Sequence, residues 1–588
     1  MRQRYMHLPL LFSACLAAFA ADKAEPSEAN VAAPARIFRT GAELCYGLSP
    51  EGFHVSRDGG RTWTVGNRGL PKKVVYPFKE QKVRPLTALG FDPARPARVA
   101  VTTPCGIHLS EDGGSTWRQI APASRLAKNA YPTAVALSPA ENDTLLVGTS
   151  FDGLFESKDL GRTWTCLSRN LTPLYRGAGC WEEISALAYV PDDPKCILLA
   201  CGFGQGLYRL DRTNGKLHAW RPAGLTGREQ VDFLGFRHDA GASSWQLILG
   251  TGGASYTYAE EHGEPRVEVP VCPPPAEDPS RRERALRGTG RYAIYLRPDQ
   301  AAGKRFDAHL DFMKKNGFNA VVVDFKDDYG FLTYDSRLER AKRMGAVRKI
   351  LEAGEFISKA RRNGIYVVAR LVVFKDKQLY HDQKYRCAVW DGPSNAPWRN
   401  LVKKDGQLVQ GEYWVEPFCP EVWEYNLAVA EELQALGVDE IQFDYLRFPT
   451  DGPTARIRYR YRREGMEKSD AIESFLAMAR ERLRIPLSVD LYGFNCWYRM
   501  EGLTGQNMSI IADYVDAVCP MFYPSHFPAT FIEDRDYLAR ARRIYLEGTS
   551  RAYAIANGRT LIRPYIQAFL LGGERRMGSP SYTKYLFN

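Results

Sequence analysis

The sequence predicts a multidomain protein, an all-β propeller of about five blades followed by an α/β barrel of the TIM type. Two observations carry this prediction. A short motif ending in tryptophan recurs three times in the first half of the chain. In the second half, continuous apolar segments alternate with segments of helical spacing, a pattern typical of a parallel sheet covered on both faces. The length of 588 residues is enough for two to four domains.

Composition and charge exclude several classes of protein. Hydrophobic residues make up 45% and charged residues 25% of the chain, close to the averages for soluble globular proteins. These values exclude a disordered, collagen-like or multi-pass membrane protein. The net charge of +11 is spread along the chain with only short basic clusters, so no nucleic-acid partner is expected. The 12 cysteines form no C-x-x-C pair, which argues against zinc-finger and thioredoxin-like sites.

The first 20 residues have the features of an export signal. A basic start is followed by a short apolar run over 8–18 and by the small-x-small sequence Ala18-Phe19-Ala20. The run is too short to span a bilayer. We therefore expect a secreted or periplasmic protein without a membrane span. The segment Phe12-Ser13-Ala14-Cys15 is similar to a lipobox, so lipid anchoring at Cys15 to the outer membrane is the alternative.

The repeated motif has the form S-x-D-x-G-x-T-W and occurs at 56–63, 110–117 and 157–164. The three copies resemble Asp-boxes, the hairpin motif of sialidase-type (BNR) β-propellers. In such a turn the aspartate can accept backbone N–H bonds, and the glycine allows the positive φ of a tight hairpin. Two further units, around 184–210 and 245–251, keep the strand rhythm without the motif, which suggests five blades of about 40 residues.

The resemblance implies a structural role for the three aspartates, because Asp-boxes lie away from the central site of sialidases. The number of blades also falls short of a sialidase propeller. We therefore expect the first domain to be a binding or scaffold module. The predicted divisions of the chain are a signal peptide at 1–20, the propeller at 37–270, a Pro-rich linker at 271–289 and the barrel at 290–588.

Strand and helix patterns alternate through the second half. The predicted strands are 292–296, 319–324, 365–373, 440–446, 486–491, 515–521 and 561–568. The predicted helices are about 306–316, 347–362, 422–436 and 471–483. About 300 residues in this pattern fit a (β/α)8 barrel, although only seven strands can be identified. We favour a sequence that stops before its eighth strand, and an open barrel or an overlooked strand near 413–415 are the alternatives.

Aspartates end three of the predicted strands. Asp324, Asp444 and Asp490 each follow apolar residues, where burial of a carboxylate is costly unless it serves a purpose. Enzymes with this type of barrel act at the carboxyl ends of the strands. Arg370 interrupts another strand and needs a carboxylate partner. A purely structural ion pair explains this arginine as well as a role in the site does. The sequence therefore predicts an acidic site at this end of the barrel.

Four segments of the second half resemble a family of glycoside hydrolases of barrel fold (DUF4015-like), over about 291–588. They are V-V-D-F-K-D-D at 322–328, A-R-L-V-V-F-K-D at 369–376, E-I-Q-F-D-Y-L-R-F-P at 440–449 and P-M-F-Y-P-S-H at 520–526. The resemblance implies a glycosidase that acts on a poly- or oligosaccharide and needs no cofactor. Glu416-Pro417 stands where the family tends to have Asp-Pro, and the family normally continues through an eighth strand.

Glycosidic hydrolysis needs one carboxyl group as acid and a second as base or nucleophile. We assign Asp444 as the nucleophile or base, because nearby arginines should keep it ionised. Asp490, beside apolar neighbours, is the candidate acid, with Asp324 or Asp328 in reserve. The side chains expected to bind or stack on the sugar are Lys326, Asp328, Arg370, Gln442, Arg447, Tyr492, Tyr523 and Trp414.

Two other functions fit parts of the sequence. A metal-dependent hydrolase would also use strand-end carboxylates, but the second half has three histidines and no H-x-H or H-E-x-x-H pattern. Calcium or magnesium near Asp327 and Asp328 stays an alternative. A non-catalytic glycan-binding or envelope-assembly protein is favoured by the missing eighth strand and disfavoured by the strand-end carboxylates. The sequence does not predict the sugar, the linkage or the oligomeric state.

Overall fold

The computed structural model describes residues 31–569 with short gaps. The gaps are 32, 35, 42, 80–81, 127–129, 178, 240–243, 252–253, 260–263, 269–277, 500 and 534–535. The predicted signal peptide, Cys15, the prolines of the predicted linker up to 277 and the residues after 569 lie outside the described residues. No helix in the described part of the chain is long and apolar enough to cross a membrane.

The described residues of the N-terminal region contain five antiparallel sheets of four strands each, which follow one another along the chain. Sheet 1 contains Arg36–Arg39, Cys45–Ser49, Gly52–Ser56 and Thr64–Val65, and sheet 2 contains Ala88–Asp92, Arg95–Thr103, Gly106–Ser110 and Arg118–Pro122. Sheet 3 contains Pro132–Leu137, Leu145–Thr149, Leu154–Ser157 and Thr165–Cys166, and sheet 4 contains Ile184–Val190, Asp193–Cys201, Leu207–Asp211 and Lys216–Trp220. Sheet 5 contains Val231–Asp239, Ser244–Thr251, Ala254–Tyr258 and Arg266–Glu268. Two short hairpins, Lys72–Lys73 with Lys82–Val83 and Tyr175–Gly177 with Cys180–Trp181, lie between the sheets.

Each sheet packs its apolar side chains against two others. Sheets 2 and 3, 3 and 4, and 4 and 5 share hydrophobic clusters, and a further cluster joins sheet 1 to sheets 2 and 5. The rings of Phe38 in sheet 1 and Phe233 in sheet 5 lie 4.5 Å apart, and those of Phe53 and Trp117 lie 4.9 Å apart. Burial of strands on both faces explains their near-continuous apolar sequences.

The three S-x-D-x-G-x-T-W motifs form the turns between the third and fourth strands of sheets 1 to 3. In the first motif, the Asp58 carboxylate accepts hydrogen bonds from the Thr62 backbone N–H (2.9 Å) and hydroxyl (2.6 Å) and from the Ser56 hydroxyl (2.7 Å). Gly60 has a φ of 93°, a backbone conformation that favours glycine. The hydrogen bonds from Thr62 and Ser56 lower the pKa of Asp58. Each aspartate of the repeat is therefore bonded within its own turn.

The second half contains a curled parallel sheet of seven strands in sequence order, similar to part of a TIM barrel. The strands are β1 (Ala293–Leu296), β2 (Ala320–Lys326), β3 (Tyr366–Val372), β4 (Glu440–Asp444), β5 (Leu487–Tyr492), β6 (Ala517–Met521) and β7 (Leu561–Ile562). All seven predicted strands are confirmed, although β7 is shorter than expected. Among the described residues, β1 and β7 are the edges of the sheet. Trp414 and Val415 form bridges with Lys375 and Ala388, so the alternative strand near 413–415 does not join this sheet.

Helices cover the sheet. They are α1 (Pro279–Gly288), α2 (Gly303–Lys315), α3 (Glu339–Arg343), α4 (Ala353–Arg362), α5 (Lys377–Tyr385), α6 (Pro420–Leu436), α7 (Lys468–Arg482), α8 (Asn495–Tyr498), α9 (Glu501–Thr504), α10 (Met508–Tyr514) and α11 (Tyr537–Ala556). Short additional strands are Trp390–Asp391, Ala396–Pro397, Asn400–Lys404, Gln407–Glu412 and Ile457–Arg458. The charged end of the predicted linker is α1, which Arg284 anchors to Asp516 at 3.1 Å. The four predicted helices correspond to α2, α4, α6 and α7.

Buried ion pairs join the N-terminal region to the second half. Arg84 donates two hydrogen bonds to Asp470 on α7 (2.9 and 2.6 Å), and Arg551 on α11 donates two to Glu182 (2.8 Å each). None of these four side chains is more than 4% exposed. Tyr498 lies in the segment that follows β5, and its ring centre is 5.1 Å from that of Phe151 in the N-terminal region. The N-terminal region is therefore firmly attached beside the carboxyl end of β5.

Candidate active site

Arg370 lies among four aspartates at the carboxyl ends of strands β2 to β5. Its Nη1 donates to Asp324 Oδ1 at 2.5 Å, and its Nε donates to Asp444 Oδ2 at 2.9 Å. Asp328 Oδ1 is 3.5 Å from Nη2, and Asp490 Oδ2 is 3.8 Å from Nε. Burial alone would lower the pKa of Arg370, but the four carboxyl groups raise it well above its usual value. One guanidinium therefore compensates the charge of several carboxyl groups.

The sheet register explains this arrangement. Arg370 on β3 pairs with Asp324 on β2 and with Gln442 on β4, while Asp444 follows two residues later on β4. Side chains two residues apart on a strand point to the same face. Because parallel strands end at the same edge of the sheet, Arg370, Asp324 and Asp444 meet there from the strands themselves, whereas Asp328 comes from the turn after β2.

Asp490 is the most deeply buried of the four aspartates. Its side chain is 1% exposed, and its Oδ1 has no hydrogen-bond partner among the described residues. Burial, followed by the negative charge of Asp444 and a hydrogen bond with Asp444, raises the pKa of Asp490 well above that of an ordinary carboxyl group, although Arg370 acts in the opposite direction. Its surroundings therefore favour the protonated form of Asp490, which is the form a general acid needs.

A second charged cluster lies closer to the solvent. Asp328, whose side chain is 38% exposed, is 3.3 Å from Lys375 Nζ. The same Nζ is 3.3 Å from Glu412 Oε1 and 3.4 Å from the Tyr445 hydroxyl. The Tyr295 hydroxyl donates to Asp324 Oδ2 at 2.5 Å and so connects β1 to the site. These residues form the rim around the Arg370 group.

Tyr445, directly after Asp444, adopts a φ of 48°. This left-handed conformation is strained for a non-glycine residue, and such strain is common at active sites. The Tyr445 backbone N–H donates to Asp444 Oδ1 at 2.5 Å. The turn therefore holds one carboxylate oxygen of Asp444 while Arg370 holds the other.

Arg447 lies on an aromatic platform at the same edge of the sheet. Its guanidinium carbon is 5.1 Å from the ring centres of Trp414 and Tyr445 and 5.6 Å from that of Tyr492. Its Nη1 donates to the Thr450 hydroxyl at 3.1 Å. Within the described part of the chain it has no ion pair with Asp444, which Arg370 binds instead. The expected flanking of Asp444 by arginines therefore holds for Arg370 and not for Arg447.

Other expected sugar-binding residues occupy different depths. The charges of Asp490 and Asp444 act with burial to raise the pKa of Tyr523, which places this half-buried ring close to the pair. Gln442 lies two residues before Asp444 on β4 and is buried beneath the aspartates. Its Nε2 donates to Cys519 Sγ (3.4 Å) and its Oε1 accepts from the Tyr565 hydroxyl (2.7 Å).

Lys326 and Trp414 are not available to a sugar. Lys326 is fully buried, and its Nζ contacts Asp376 Oδ2 (2.7 Å) and the Val372 carbonyl (2.7 Å). A register shift after Asp324 pairs Lys326 with Leu371, which turns its side chain away from the face that carries Arg370. The Trp414 ring is also fully buried, and its Nε1 donates to Glu412 at 2.9 Å.

Residues 293–585 match one protein family, DUF4015, described as "Putative glycosyl hydrolase domain". The second half of the chain is a DUF4015 domain. The comparison with curated proteins gives no match. A solved hypothetical protein from Ruminiclostridium thermocellum ATCC 27405 is 31% identical over 34% of this chain and 96% of its own, with a TM-score of 0.30.

Two solved enzymes align with part of the chain at lower identity. The trehalulose synthase MutB from Pseudomonas mesoacidophila MX-45 is 12% identical over 46% of this chain and 56% of its own, with a TM-score of 0.31. The trehalose-6-phosphate hydrolase TreA from Bacillus licheniformis is 13% identical over 45% of this chain and 55% of its own, with a TM-score of 0.29. This chain thus spans little more than half of either enzyme.

Four residues of the DUF4015 domain site were not assigned from the sequence, namely Tyr295, Lys375, Glu412 and Tyr565. Tyr295 lies near the end of β1, so the strand-end argument applied to the aspartates could have found it. Lys375 lies in the quoted segment at 369–376. Glu412 ends the hairpin strand Gln407–Glu412, outside the strand and helix alternation, and no sequence signal pointed to it.

Three aspartates of the DUF4015 domain site, Asp324, Asp328 and Asp444, contact the side chains of Arg370 or Lys375. In the described residues, no three His, Cys, Asp or Glu side chains are placed to hold a metal ion. Asp327 Oδ1 accepts the backbone N–H groups of Tyr329 and Phe331, both at 2.9 Å, and so closes a turn. The arrangement is suited to proton transfer between carboxyl groups and a bound substrate.

Proposed function

We propose that the DUF4015 domain hydrolyses glycosidic bonds of a poly- or oligosaccharide at the aspartates around Arg370. The observation that carries this proposal is the meeting of four carboxyl groups at one guanidinium, with the pKa of one of the four, Asp490, raised well above its usual value. In our proposal this group supplies both the protonated acid and the charged carboxylate that the reaction requires. The family match of residues 293–585 supports the same reaction class.

Asp444 is the proposed nucleophile or base. Arg370 and the Tyr445 backbone N–H each hold one of its carboxylate oxygens, which orients the group and compensates its charge. Asp490 is the proposed acid, because its raised pKa favours the protonated form that can donate a proton to the leaving oxygen. Its Oδ1 is buried and has no hydrogen-bond partner among the described residues.

The contact between Asp444 and Asp490 sets a geometric condition. Carboxyl groups are about 5–5.5 Å apart in retaining enzymes and about 6.5–9.5 Å apart in inverting enzymes. A direct hydrogen bond is shorter than either separation. A sugar bound at Asp444 would therefore have to part the pair before Asp490 could protonate it. Asp324 and Asp328, which contact the same guanidinium, are the alternative acids that an experiment must separate from Asp490.

We further propose that the protein is exported and that the five N-terminal sheets form a β-propeller serving as a scaffold. The export signal features of 1–20 and the packing of each sheet between two others support these points. The buried pairs Arg84–Asp470 and Arg551–Glu182 favour a scaffold over a loosely tethered binding module. The pairs attach α7 and α11 to the sheets, and the packing of Phe151 against Tyr498 lets the sheets hold the segment that follows β5 in place.

The decisive experiment measures reducing-sugar release from bacterial exopolysaccharides and cell-wall glycans. We expect Asp444→Asn to abolish release, while the exposed-site control Arg297→Gln keeps it. Asp490→Asn should lose about 10²–10⁴-fold on glycans, the usual contribution of a general acid. The Asp490→Asn variant should keep most of its rate on aryl glycosides, because a good leaving group departs without receiving a proton. If Asp324→Asn shows this pattern instead, the acid is Asp324, and sugar release by Asp444→Asn at the wild-type rate would exclude the proposed centre.

A further inference from the structure

Two buried cysteines beside the active site lie in direct contact. The sulfur atoms of Cys387 and Cys419 are 3.8 Å apart, and neither residue is more than 1% exposed. The backbone already holds the two segments together, because the Glu416 N–H donates to the Cys387 carbonyl (2.8 Å) and the Cys419 N–H donates to the Glu416 carbonyl (3.0 Å). To reach the ~2.05 Å of a disulfide, the sulfurs need to approach by only about 1.8 Å.

The surroundings of Cys419 favour its thiolate, which is the reactive form. The pKa of Cys387 is raised instead, by its hydrogen bond with Cys419 and by burial, and only the Arg340 guanidinium opposes this shift. Arg340 Nη2 lies 4.0 Å from Cys387 Sγ. Cys419 is the N-cap residue of the 17-residue helix α6, where backbone N–H groups point towards it. A hydrogen bond with Cys387, followed by N–H groups of the first helical turn, lowers the pKa of Cys419.

The chain between the two cysteines reaches the active site. Residues 388–418 leave the barrel, form the hairpin Asn400–Lys404 with Gln407–Glu412, and return at α6. Glu412 of this segment is 3.3 Å from Lys375, and Trp414 packs under Arg447. A covalent bond between Cys387 and Cys419 would close the base of the segment and hold these rim residues against the site.

We propose that Cys387 and Cys419 form a disulfide bond in an oxidising compartment and thereby fix the segment 388–418 at the rim of the site. The oxidant is a disulfide, either of a protein thiol oxidase or of oxidised glutathione. The Cys419 thiolate attacks it, one sulfur of the oxidant leaves as a thiolate, and the Cys387 thiolate then displaces the other. Two protons leave the cysteines, and two electrons reduce the oxidant to two thiols. Because both cysteines are buried in the folded chain, the exchange takes place while the segment is open during folding.

The test uses the full chain, exported to a bacterial periplasm or refolded with oxidised glutathione. Free thiols are blocked with N-ethylmaleimide in denaturant, and the digested protein is analysed by mass spectrometry with and without reductant. We expect a linked pair of peptides containing residues 387 and 419, lighter by two hydrogens than the separate peptides and absent after reduction. The pair should be missing in Cys387→Ser and in Cys419→Ser but present in Cys166→Ser, which changes an exposed cysteine.

A second measurement tests the structural consequence and does not depend on glycosidase activity. Reduction should lower the Tm of the oxidised wild-type protein by several degrees and leave the Tm of Cys387→Ser/Cys419→Ser unchanged. Complete labelling of both thiols in the oxidised preparation, or linkage of either cysteine to another partner, would overturn the proposal. A reductant-dependent Tm in the double variant would show that the stabilising bond lies elsewhere.

Discussion

Asp490 lies against Asp444 at the carboxyl ends of two neighbouring strands, and burial together with the charge of Asp444 raises the pKa of Asp490. Both carboxyl groups face the same guanidinium, with Arg370 Nε at 2.9 Å from Asp444 and 3.8 Å from Asp490. Two like charges in contact are costly, and this cost favours the protonated form of Asp490.

The raised pKa of Asp490 makes a prediction about stability. The folded protein binds the proton more tightly than the unfolded chain, where an aspartate has a pKa of about 3.9. Stability is therefore lost as the pH rises from about 4 through the folded pKa. Asp490→Asn has no such proton, so its Tm relative to the wild type should increase between pH 5 and pH 8. Each unit of pKa elevation corresponds to about 1.4 kcal/mol.

The control for Asp490→Asn is Asp299→Asn, which changes an exposed aspartate whose pKa is lowered mainly by a hydrogen bond from Gln300. The Tm of this control relative to the wild type should be the same at pH 5 and pH 8. If the two variants behaved alike over this range, the raised pKa of Asp490 would be wrong.

Removal of Arg370 should strongly destabilise the domain. Arg370→Gln leaves Asp324 and Asp444 buried without a counter-charge, which typically costs about 3–5 kcal/mol. Part of the loss should be recovered at pH 4, where carboxyl groups without a cation can take up protons. Arg297→Gln removes an exposed contact with Asp299 and should cost less than about 1 kcal/mol. Chemical denaturation at both pH values measures the difference, and equal losses in the two variants would contradict the central position of Arg370.

The strand ends predicted the centre of this site because parallel strands bring their ends to one edge. Asp324, Asp444 and Asp490 each follow an apolar run, so their position along the chain also determines where they lie in the sheet. The same reasoning failed for Lys326, because alternation along a strand does not reveal a register shift. It also missed Glu412, which reaches the site on a hairpin without regular periodicity.

In the N-terminal region, too, the sequence predicted local structure but not the contacts between distant segments. The repeated motif and the strand rhythm predicted a strand-rich region, and the three motifs lie at turns of its antiparallel sheets. How the region attaches to the barrel half could not be predicted, since Arg84 and Asp470 are 386 residues apart and no local pattern links them. Contacts of this kind depend on the final packing of two folded surfaces.

Lys326→Met should affect stability and not substrate binding. Lys326 is fully buried with Asp376, so its removal leaves a charged carboxylate in the core at a cost of about 3–5 kcal/mol. Below its unfolding temperature, the variant should keep the wild-type KM, because the side chain does not reach the site. Tyr523→Phe is the matched comparison at a residue close to Asp490 and should change KM or kcat. A selective rise in the KM of Lys326→Met would restore the expectation that Lys326 contacts the sugar.

The buried ion pairs between the two halves should couple their unfolding. Arg84→Met leaves Asp470 uncompensated and Arg551→Met does the same to Glu182, each at a cost of about 3–5 kcal/mol. Calorimetry of the double variant should resolve two unfolding transitions where the wild type shows one. Arg543→Met is the control, since it changes a more exposed pair with Glu547 on the same helix as Arg551. If the double variant still unfolded in one transition at the wild-type Tm, these pairs would not hold the N-terminal region to the barrel half, and the scaffold role would lose its physical basis.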